Sequence, residues 1–182
     1  MKNHLTLVVV FVLGVSPAVV MANPMNQGNS YGGVQLSQLT YDEDGMSDDA
    51  NPTALIGRLG YFVADQIAIE GRLGVGLSDD TVRVYGVDVD VELDRLFGFY
   101  AVGHLPLAET ASIYGLLGFT DAKATASVNG FSDSNTDSGL SYGFGAEFYP
   151  SDQFGLNIEY TQYLDESGYD LSAISAGFKV NF

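Results

Sequence analysis

The segment LGYFVADQIAIEGRLGVGL, residues 59–77, alternates large apolar side chains with small or charged ones on either side of a short break. In its second half, one set of alternate positions holds the apolar residues Ile67, Ile69, Leu73 and Val75. The other set holds Glu70, Arg72 and Gly74. A period of two residues is typical of a β-strand with two unlike faces, and a short break between two such strands joins antiparallel neighbours. The segment therefore predicts a β-hairpin.

The same period recurs along the chain, where helical spacing is hard to find. It predicts eight strands, at about residues 31–41, 53–63, 67–78, 88–105, 111–126, 138–149, 154–164 and 170–182. Short connections at 64–66, 106–110 and 150–153 alternate with long polar ones at 42–52, 79–87 and 127–137, and 165–169 is shorter but equally polar. An even strand count with short turns on one side and longer loops on the other is the layout of an outer-membrane β-barrel.

The two faces of the predicted strands separate a membrane barrel from a soluble one. In the last strand one face carries Ile174, Ala176, Phe178, Val180 and Phe182, and the other carries Ser175, Gly177, Lys179 and Asn181. Charge and glycine on one face suit a narrow lumen, and the bulky apolar face suits lipid. The sequence therefore predicts an all-β, eight-stranded antiparallel up-and-down transmembrane β-barrel over residues 31–182, with short periplasmic turns and longer extracellular loops. A soluble periplasmic barrel is the alternative.

The N-terminus has the pattern of an export signal. Lys2 precedes an apolar run from Leu5 to Val15, and Val20-Met21-Ala22 supplies a small-residue cleavage site. We therefore expect residues 1–22 to be a signal peptide and residues 23–30 to be a flexible stub. A membrane-anchoring helix is the alternative, which the short apolar run disfavours.

Composition excludes several classes of function. The 182 residues include 7 basic and 23 acidic ones, for a net charge of −16, and no cysteine. A chain this acidic is repelled by phosphate backbones, so nucleic acid is not expected as a partner. The absence of cysteine rules out disulfides and thiolate metal sites. Acids concentrate in the predicted outer segments, for example at residues 41–49 and 87–94, where divalent cations are candidate ligands of the carboxylates. Because the spacing is not that of an EF-hand, a solvated acidic surface is the favoured interpretation.

Two segments identify a family. Residues 59–77 resemble the second hairpin of the OmpA/OmpX/Opa-type outer-membrane barrels, and the terminal AGFKVNF resembles the final-strand signal of these proteins. The resemblance implies that the outer-membrane assembly machinery reads Phe178, Val180 and Phe182. The chain ends with the eighth predicted strand, so the peptidoglycan-binding domain of full-length OmpA relatives is not expected. The architecture does not decide the function, because this barrel hosts adhesins, enzymes and other proteins.

Six charged residues fall on the inward face of the predicted barrel. They are Arg58, Glu70, Arg72, Glu147, Glu159 and Lys179. A polar pathway or gate is one interpretation, and a buried ion-pair network that plugs the lumen is the favoured one, because buried charges must be paired. In the simplest hairpin register Arg58 faces Arg72, so an acid must lie between them, with Glu70 and Glu159 as the candidates.

Other polar and aromatic residues are assigned to the ends of the barrel. His104, the one histidine after residue 22, precedes a short turn and is predicted to be interfacial and hydrogen-bonded. Arg95 falls on the lipid-facing parity near the outer interface, where it is a candidate contact for lipopolysaccharide phosphates. Interfacial aromatic belts are expected to include Tyr149 at the periplasmic side and Tyr41 and Tyr163 at the outer side.

The sequence therefore favours a non-enzymatic integral outer-membrane protein with an envelope-structural or surface-interaction (adhesin-like) role through acidic outer loops. We expect no catalytic, cofactor or metal site, and a monomer in contact with lipid and lipopolysaccharide. A small-solute or ion pore is the alternative. A lipid-modifying enzyme is disfavoured, because the GHLPL sequence around His104 lacks a nearby serine.

Overall fold

The computed structural model describes residues 25–43, 50–78, 80–84, 87–128, 131–166 and 169–182. Its strands are β1 (Ser30–Glu43), β2 (Thr53–Ala64), β3 (Ile67–Ser78), β4 (Asp80–Val84), β5 (Val87–Ala108), β6 (Ala111–Val128), β7 (Phe131–Ser151), β8 (Phe154–Glu166) and β9 (Tyr169–Asn181). Among these residues, no helix is long and apolar enough to cross a membrane. The predicted signal peptide lies outside the described residues.

The strands form one closed antiparallel sheet. Their order is β3-β2-β1-β9-β8-β7-β6-β5-β4, and an additional pairing of β3 with β5 closes the ring. Both β3 and β4 pair with β5, through Gly74 opposite Leu96 and Asp80 opposite Val91, so they are two parts of one barrel strand. The result is an eight-stranded antiparallel β-barrel, which confirms the predicted fold class.

Three short turns lie at one end of the barrel, which we call the turn end, and the opposite end is the loop end. The turns between paired strands are at Asp65-Gln66, Glu109-Thr110 and Asp152-Gln153, each within a predicted short connection. Gln66 adopts a left-handed conformation with a φ of 67°. Turns of two residues are the shortest that join antiparallel strands, and they hold the neighbouring strands in register.

At the loop end the strands are longer than predicted. Residues 79–87 and 127–137 were expected to be loops, yet β4 and β5 pair up to Val84 opposite Val87, and β6 and β7 pair up to Val128 opposite Phe131. Residues 127–137 are polar apart from Val128, Gly130 and Phe131, so they carry no hydrophobic period for the sequence to reveal. In β4, however, Val82 and Val84 alternate with Thr81 and Arg83, so a period of two residues is present there and the prediction of a loop was wrong. We call β4 together with residues 87–95, 121–128 and 131–141 the extended sheet.

The two faces of the barrel differ as predicted, except where β-bulges change the parity. Exposed apolar residues such as Phe144, Ile174 and Leu73 cover the outside. A register shift between Gln162 and Leu164 instead turns Leu164 into the core, where it is 2% exposed, and Tyr163 is also buried. The prediction that Tyr163 lies in an outer belt is therefore wrong.

Two further tyrosines of the predicted belts are not on the outer surface. A second register shift, between Phe148 and Ser151, accompanies burial of Tyr149 at 1% exposure. Tyr41 packs against the buried hydrophobic cluster inside the barrel. Both tyrosines continue the inward alternation of their strands, Tyr149 after Glu147 and Tyr41 after Leu39, so the period of two residues already placed them inside the barrel.

The segment before β1 is held against the turn end. The Gly28 amide donates to the Phe62 carbonyl at 2.9 Å, and the Gln66 amide donates to the Met25 carbonyl at 2.8 Å. Gln27 bonds to Asp65 through its backbone amide, at 2.9 Å. Met25 itself is 3% exposed and belongs to the buried cluster. Residues 25–29 of the predicted flexible stub are thus fixed by these bonds, and Ser30 already begins β1.

Glycines on the inner face make room for tyrosine rings. A Cβ atom at Gly60 would overlap the ring of Tyr31 on the neighbouring strand, and one at Gly145 would overlap the ring of Tyr114. The interior of an eight-stranded barrel is filled by side chains, so a large residue at one position requires a small one opposite it.

Substitution of the inner glycine should destabilise the barrel. We expect Gly60→Val to lower the free energy of unfolding by about 1–3 kcal/mol, because the new methyl groups overlap the Tyr31 ring. The measurement is urea unfolding of the refolded protein in detergent. Gly71→Val is the matched control, because a Cβ at Gly71 meets nothing within 4 Å. Equal stability of the two variants would contradict this account of the interior packing.

Candidate functional site

The barrel interior contains one cluster of six charged side chains. Arg58, Glu70, Arg72, Glu147, Glu159 and Lys179 are each at most 5% exposed. The structure brings all six into one set of contacts, contributed by β2, β3, β7, β8 and β9. We call this cluster the ion-pair network. Its three positive and three negative charges sum to zero.

Arg72 makes the closest set of contacts in the network. Its Nη1 and Nη2 donate to the two carboxylate oxygens of Glu159 at 2.5 and 2.9 Å, and its Nε donates to Glu70 at 2.7 Å. The guanidinium carbon also lies 4.8 Å from the centre of the Tyr100 ring. A bidentate pair with a carboxylate is among the strongest hydrogen-bonded arrangements in proteins. Both edges of the Arg72 guanidinium are therefore hydrogen-bonded to carboxylates.

Arg58 lies directly opposite Arg72 in the β2–β3 register, and its contacts are looser. Its Nη2 donates to Glu147 at 3.0 Å, while its Nε and Nη1 lie 3.4 Å from Glu70 and 3.8 Å from Glu159. Glu70 and Glu159 thus bridge the two facing arginines. Lys179 completes the network with a 2.8 Å bond from its Nζ to Glu147.

Each glutamate of the network also accepts a hydrogen bond from a tyrosine hydroxyl. Tyr31 donates to Glu70 at 2.5 Å, Tyr114 donates to Glu159 at 2.8 Å, and Tyr149 donates to Glu147. Sequence reasoning missed these three tyrosines. Two sequence features could have indicated Tyr31 and Tyr114: both lie at alternate positions that face the interior, and a glycine lies opposite each on the neighbouring strand. Each carboxylate of the network is therefore bonded to both a cation and a tyrosine hydroxyl.

His104 lies inside the barrel rather than at an interface. Its ring packs between Phe62 and Tyr114, with 5.4 Å between ring centres in both cases. Its Nδ1 is 3.6 Å from a Glu147 oxygen, and neither ring nitrogen has a hydrogen-bond partner among the described residues. The prediction of an interfacial, hydrogen-bonded histidine is therefore wrong. The inward parity of β5 places this residue among the aromatic rings that fill the turn end.

A layer of hydroxyl groups lies in the same interior. The Tyr100 and Thr120 hydroxyls are 2.6 Å apart, and Ser141 donates to Thr120 at 2.6 Å. On other strands, Ser37 and Ser175 are 2.8 Å apart. These bonds join neighbouring strands, and the ion-pair network crosses the lumen, for example from Arg72 on β3 to Glu159 on β8. An interior bonded in this way is a packed core.

The remaining predicted residues are on the outer surface. Phe178, Val180 and Phe182 are 43%, 44% and 73% exposed, on the apolar face of the last strand. Arg95 is also exposed, and its Nη2 lies 3.7 Å from an Asp121 oxygen. Beside that pair, Lys123 contacts Asp94 at 2.9 Å, and its hydrogen bond holds the pKa of the Asp94 carboxyl below its ordinary value.

The cation hypothesis falls in part on residues that the structure does not describe, namely Asp44, Asp48 and Asp49. Among the described residues, no three histidine, cysteine or acidic side chains are grouped so that they could hold a metal ion. Coordination of a divalent cation by acidic loops stays a prediction.

Known proteins share this architecture. The chain is 27% identical over 169 residues to an attachment invasion locus protein of Yersinia pseudotuberculosis, covering 89% of this chain and 90% of the relative. It is similar to the crystal structure of Ail from Yersinia pestis in complex with the heparin analogue sucrose octasulfate (TM-score 0.63, 24% identity, 86% of this chain and 99% of that one). Neisserial surface protein A has a TM-score of 0.64 at 14% identity, covering 86% of this chain and all of the other, 100%.

A match to a protein family covers nearly the whole chain, and the architecture of that family agrees with the closed barrel. Residues 5–182 match the family described as "Outer membrane protein beta-barrel domain", which is nearly the whole chain. The protein is therefore a member of the outer membrane protein beta-barrel family and resides in the outer membrane.

Proposed function

We propose that this protein is a non-enzymatic attachment protein, which presents the extended sheet outside the cell on a barrel with a blocked lumen. The observation that carries the proposal is the free edge of the extended sheet. Pairing of β7 with β8 begins at Tyr142, and within the described residues the preceding part of β7, residues 131–141, pairs with β6 alone. A sheet edge of this length is a template for an extended segment of another protein.

The residues on this edge suit an aqueous surface. Asp133, Ser134, Asn135 and Thr136 are exposed and polar. Polar side chains keep the edge soluble until a partner supplies the missing backbone hydrogen bonds. The relative from Yersinia pseudotuberculosis, which carries attachment and invasion in its name, supports the same class of function.

The charge of the chain argues for a different partner from that of the Yersinia pestis structure. That barrel was crystallised with a polysulfated ligand, whereas this chain carries a net charge of −16. Like charges oppose association over about a Debye length, roughly 8 Å at physiological salt. We therefore propose a polypeptide partner that pairs with the edge, rather than a sulfated glycan.

The ion-pair network serves as a plug in this proposal. Its charges are matched in number and bridge several strands, which supports a structural role over a polar pathway. The alternative is a small-solute or ion pore, which needs a continuous wet path past Arg58 and Arg72. Stable ohmic single-channel steps from the purified protein in planar bilayers would favour the pore.

Residues at the two interfaces receive roles as part of the same proposal. A signal peptide of residues 1–22 directs export. The terminal apolar row of Phe178, Val180 and Phe182 is exposed, so the outer-membrane assembly machinery can recognise it.

Arg95 contacts lipopolysaccharide phosphates at the outer leaflet. Equal lipopolysaccharide binding by the wild type and Arg95→Ala would contradict that role. The protein acts as a monomer.

Shortening the extended sheet should abolish attachment. Thr120 and Gly139 are direct partners, so residues 121–138, which include most of the free edge, can be replaced by a two-residue Asn-Gly turn. Bacteria producing this variant should adhere to cultured epithelial cells no better than bacteria without the protein. Glu109→Gln, at the opposite end, is the control. Undiminished attachment by the shortened, folded barrel would exclude the edge, and no attachment by the wild type would favour an envelope-structural role.

Removal of Arg72 should cost far more stability than removal of an exposed arginine. Arg72→Ala leaves Glu159 and Glu70 without their closest cation, and breaking a buried pair in this way costs about 3–5 kcal/mol. Arg95→Ala is the matched control, with an expected change within about 0.5 kcal/mol. Both are measured by urea unfolding in detergent. Similar, small effects of the two substitutions would show that the network does not hold the barrel together.

Loss of the terminal residue should impair assembly but not export. Deletion of Phe182 removes an exposed ring from the end of the apolar row, so less heat-modifiable barrel should accumulate in the outer membrane while the processed chain still reaches the periplasm. Phe119→Ala, another exposed phenylalanine far from the terminus, is the control. Wild-type amounts of folded barrel after the deletion would refute the assembly role.

A further inference from the structure

The outermost part of the free edge extends past the neighbouring strand. β8 ends at Glu166, four residues after Gln162, which pairs with Tyr142 of β7. Four residues back along β7 from Tyr142 is Ser138, so residues 131–137 lie beyond the end of β8. Within the described part of the chain, these residues pair with β6 alone. A segment of about seven residues can therefore pair with the other side of β7.

The two faces of this segment differ in charge. Its inner face, which continues to the buried Ser141, carries Asp133, Asn135 and Asp137. We call these three residues the acidic row. The outer face carries neutral hydroxyl side chains, for example Thr136. Side chains directly opposite each other on paired strands point to the same face, with Cβ atoms about 4.5–5.5 Å apart. A partner strand at this edge therefore places every second side chain beside the acidic row.

The strand on the paired side of β7 does not neutralise the acidic row. Directly opposite its two aspartates, β6 carries Ala126 and Ala122. Lys123, the nearest described cation on β6, is on the other face of the sheet and contacts Asp94 at 2.9 Å. Among the described side chains, neither aspartate of the row is in an ion pair. The negative charge of the row is therefore compensated only when a partner supplies cations.

We propose that the free edge selects a basic strand, with lysine or arginine at two positions four residues apart, opposite Asp133 and Asp137. The inference rests on the proposed pairing of another protein with this edge and adds which side chains that partner carries. Opposite charges on directly paired residues stabilise neighbouring strands, and like charges destabilise them. Asn135 donates to Asp137 at 2.6 Å, and the position opposite this amide suits a polar side chain. The neutral outer face sets no charge for the intervening positions.

Two peptides of identical composition separate this pattern from charge alone. The first contains TKTNTKT, whose lysines share one face of an extended strand in either chain direction, and the second contains TKTNTTK, whose lysines point to opposite faces. Each begins with acetyl-Trp-Gly and ends in an amide. Because the chain contains no tryptophan, tryptophan fluorescence reports the peptide alone. Each is titrated with the full chain, folded in a non-ionic detergent. We expect the first to bind about threefold more tightly, because the second can place only one lysine opposite an aspartate.

The acidic row has its own variant and control. Asp133→Asn combined with Asp137→Asn should remove the preference, so that the two peptides bind with equal affinity. Asp170→Asn combined with Glu109→Gln removes the same charge from β9 and the turn end, and should preserve the preference. Heat-modifiable migration establishes that each variant is folded. Equal binding of both peptides to the wild type, or an undiminished preference in the double aspartate variant, would overturn the inference.

The variant in which a turn replaces residues 121–138 distinguishes this inference from the attachment proposal. If the wild type binds both peptides equally and the shortened barrel binds neither, pairing at the free edge stands and selection by charge is wrong. If the shortened barrel binds both peptides as the wild type does, or the wild type binds neither, pairing at the free edge is wrong and the inference falls with it.

Discussion

The bidentate pair between Arg72 and Glu159, with Glu70 on the other edge of the same guanidinium, is the contact around which the interior is arranged. An eight-stranded barrel has an interior just wide enough for side chains. Charged groups in that space must satisfy one another, because an unpaired one costs several kcal/mol. Equal numbers of cations and anions, with a tyrosine hydroxyl on every carboxylate, meet that requirement without leaving a net charge in the lumen.

The requirement that buried charges be paired also restricts the backbone, because the tyrosines that bond to the glutamates need space for their rings. Tyr31 bonds to Glu70 and needs Gly60 beside it, and Tyr114 bonds to Glu159 and needs Gly145. A slip of one residue in any of these strands would turn a charged side chain towards lipid and a large apolar one into the lumen. The network and its glycines therefore specify the strand register as well as filling the interior.

The period of two residues was enough to predict the barrel, its short turns and the face on which each of the six charges lies. It failed where the period itself changes. The bulge between Gln162 and Leu164 turns Leu164 into the core, and no residue type marks it in advance. Tyr149 instead continues the inward alternation of Glu147, so its burial could have been predicted from the sequence. Within the extended sheet, residues 88–95, 121–126 and 138–141 lie in predicted strands, but residues 131–137 were missed, because a strand exposed to water on both faces needs no apolar period. Tertiary pairing with a neighbouring strand, rather than local sequence, makes residues 131–137 a strand.

The neutrality of the interior also determines where the charge of the protein acts. The network takes three of the 7 basic and three of the 23 acidic residues, so the remaining 4 and 20 carry the whole net charge of −16 outside it. A lipid-facing band tolerates little charge, so the acids accumulate in the turns and, above all, at the loop end. The interior therefore has no net charge that would attract or repel a solute, while the acidic loop end attracts cations and repels polyanions. A barrel of the same fold that presents positive charge at this end would select the opposite class of ligand on an unchanged scaffold.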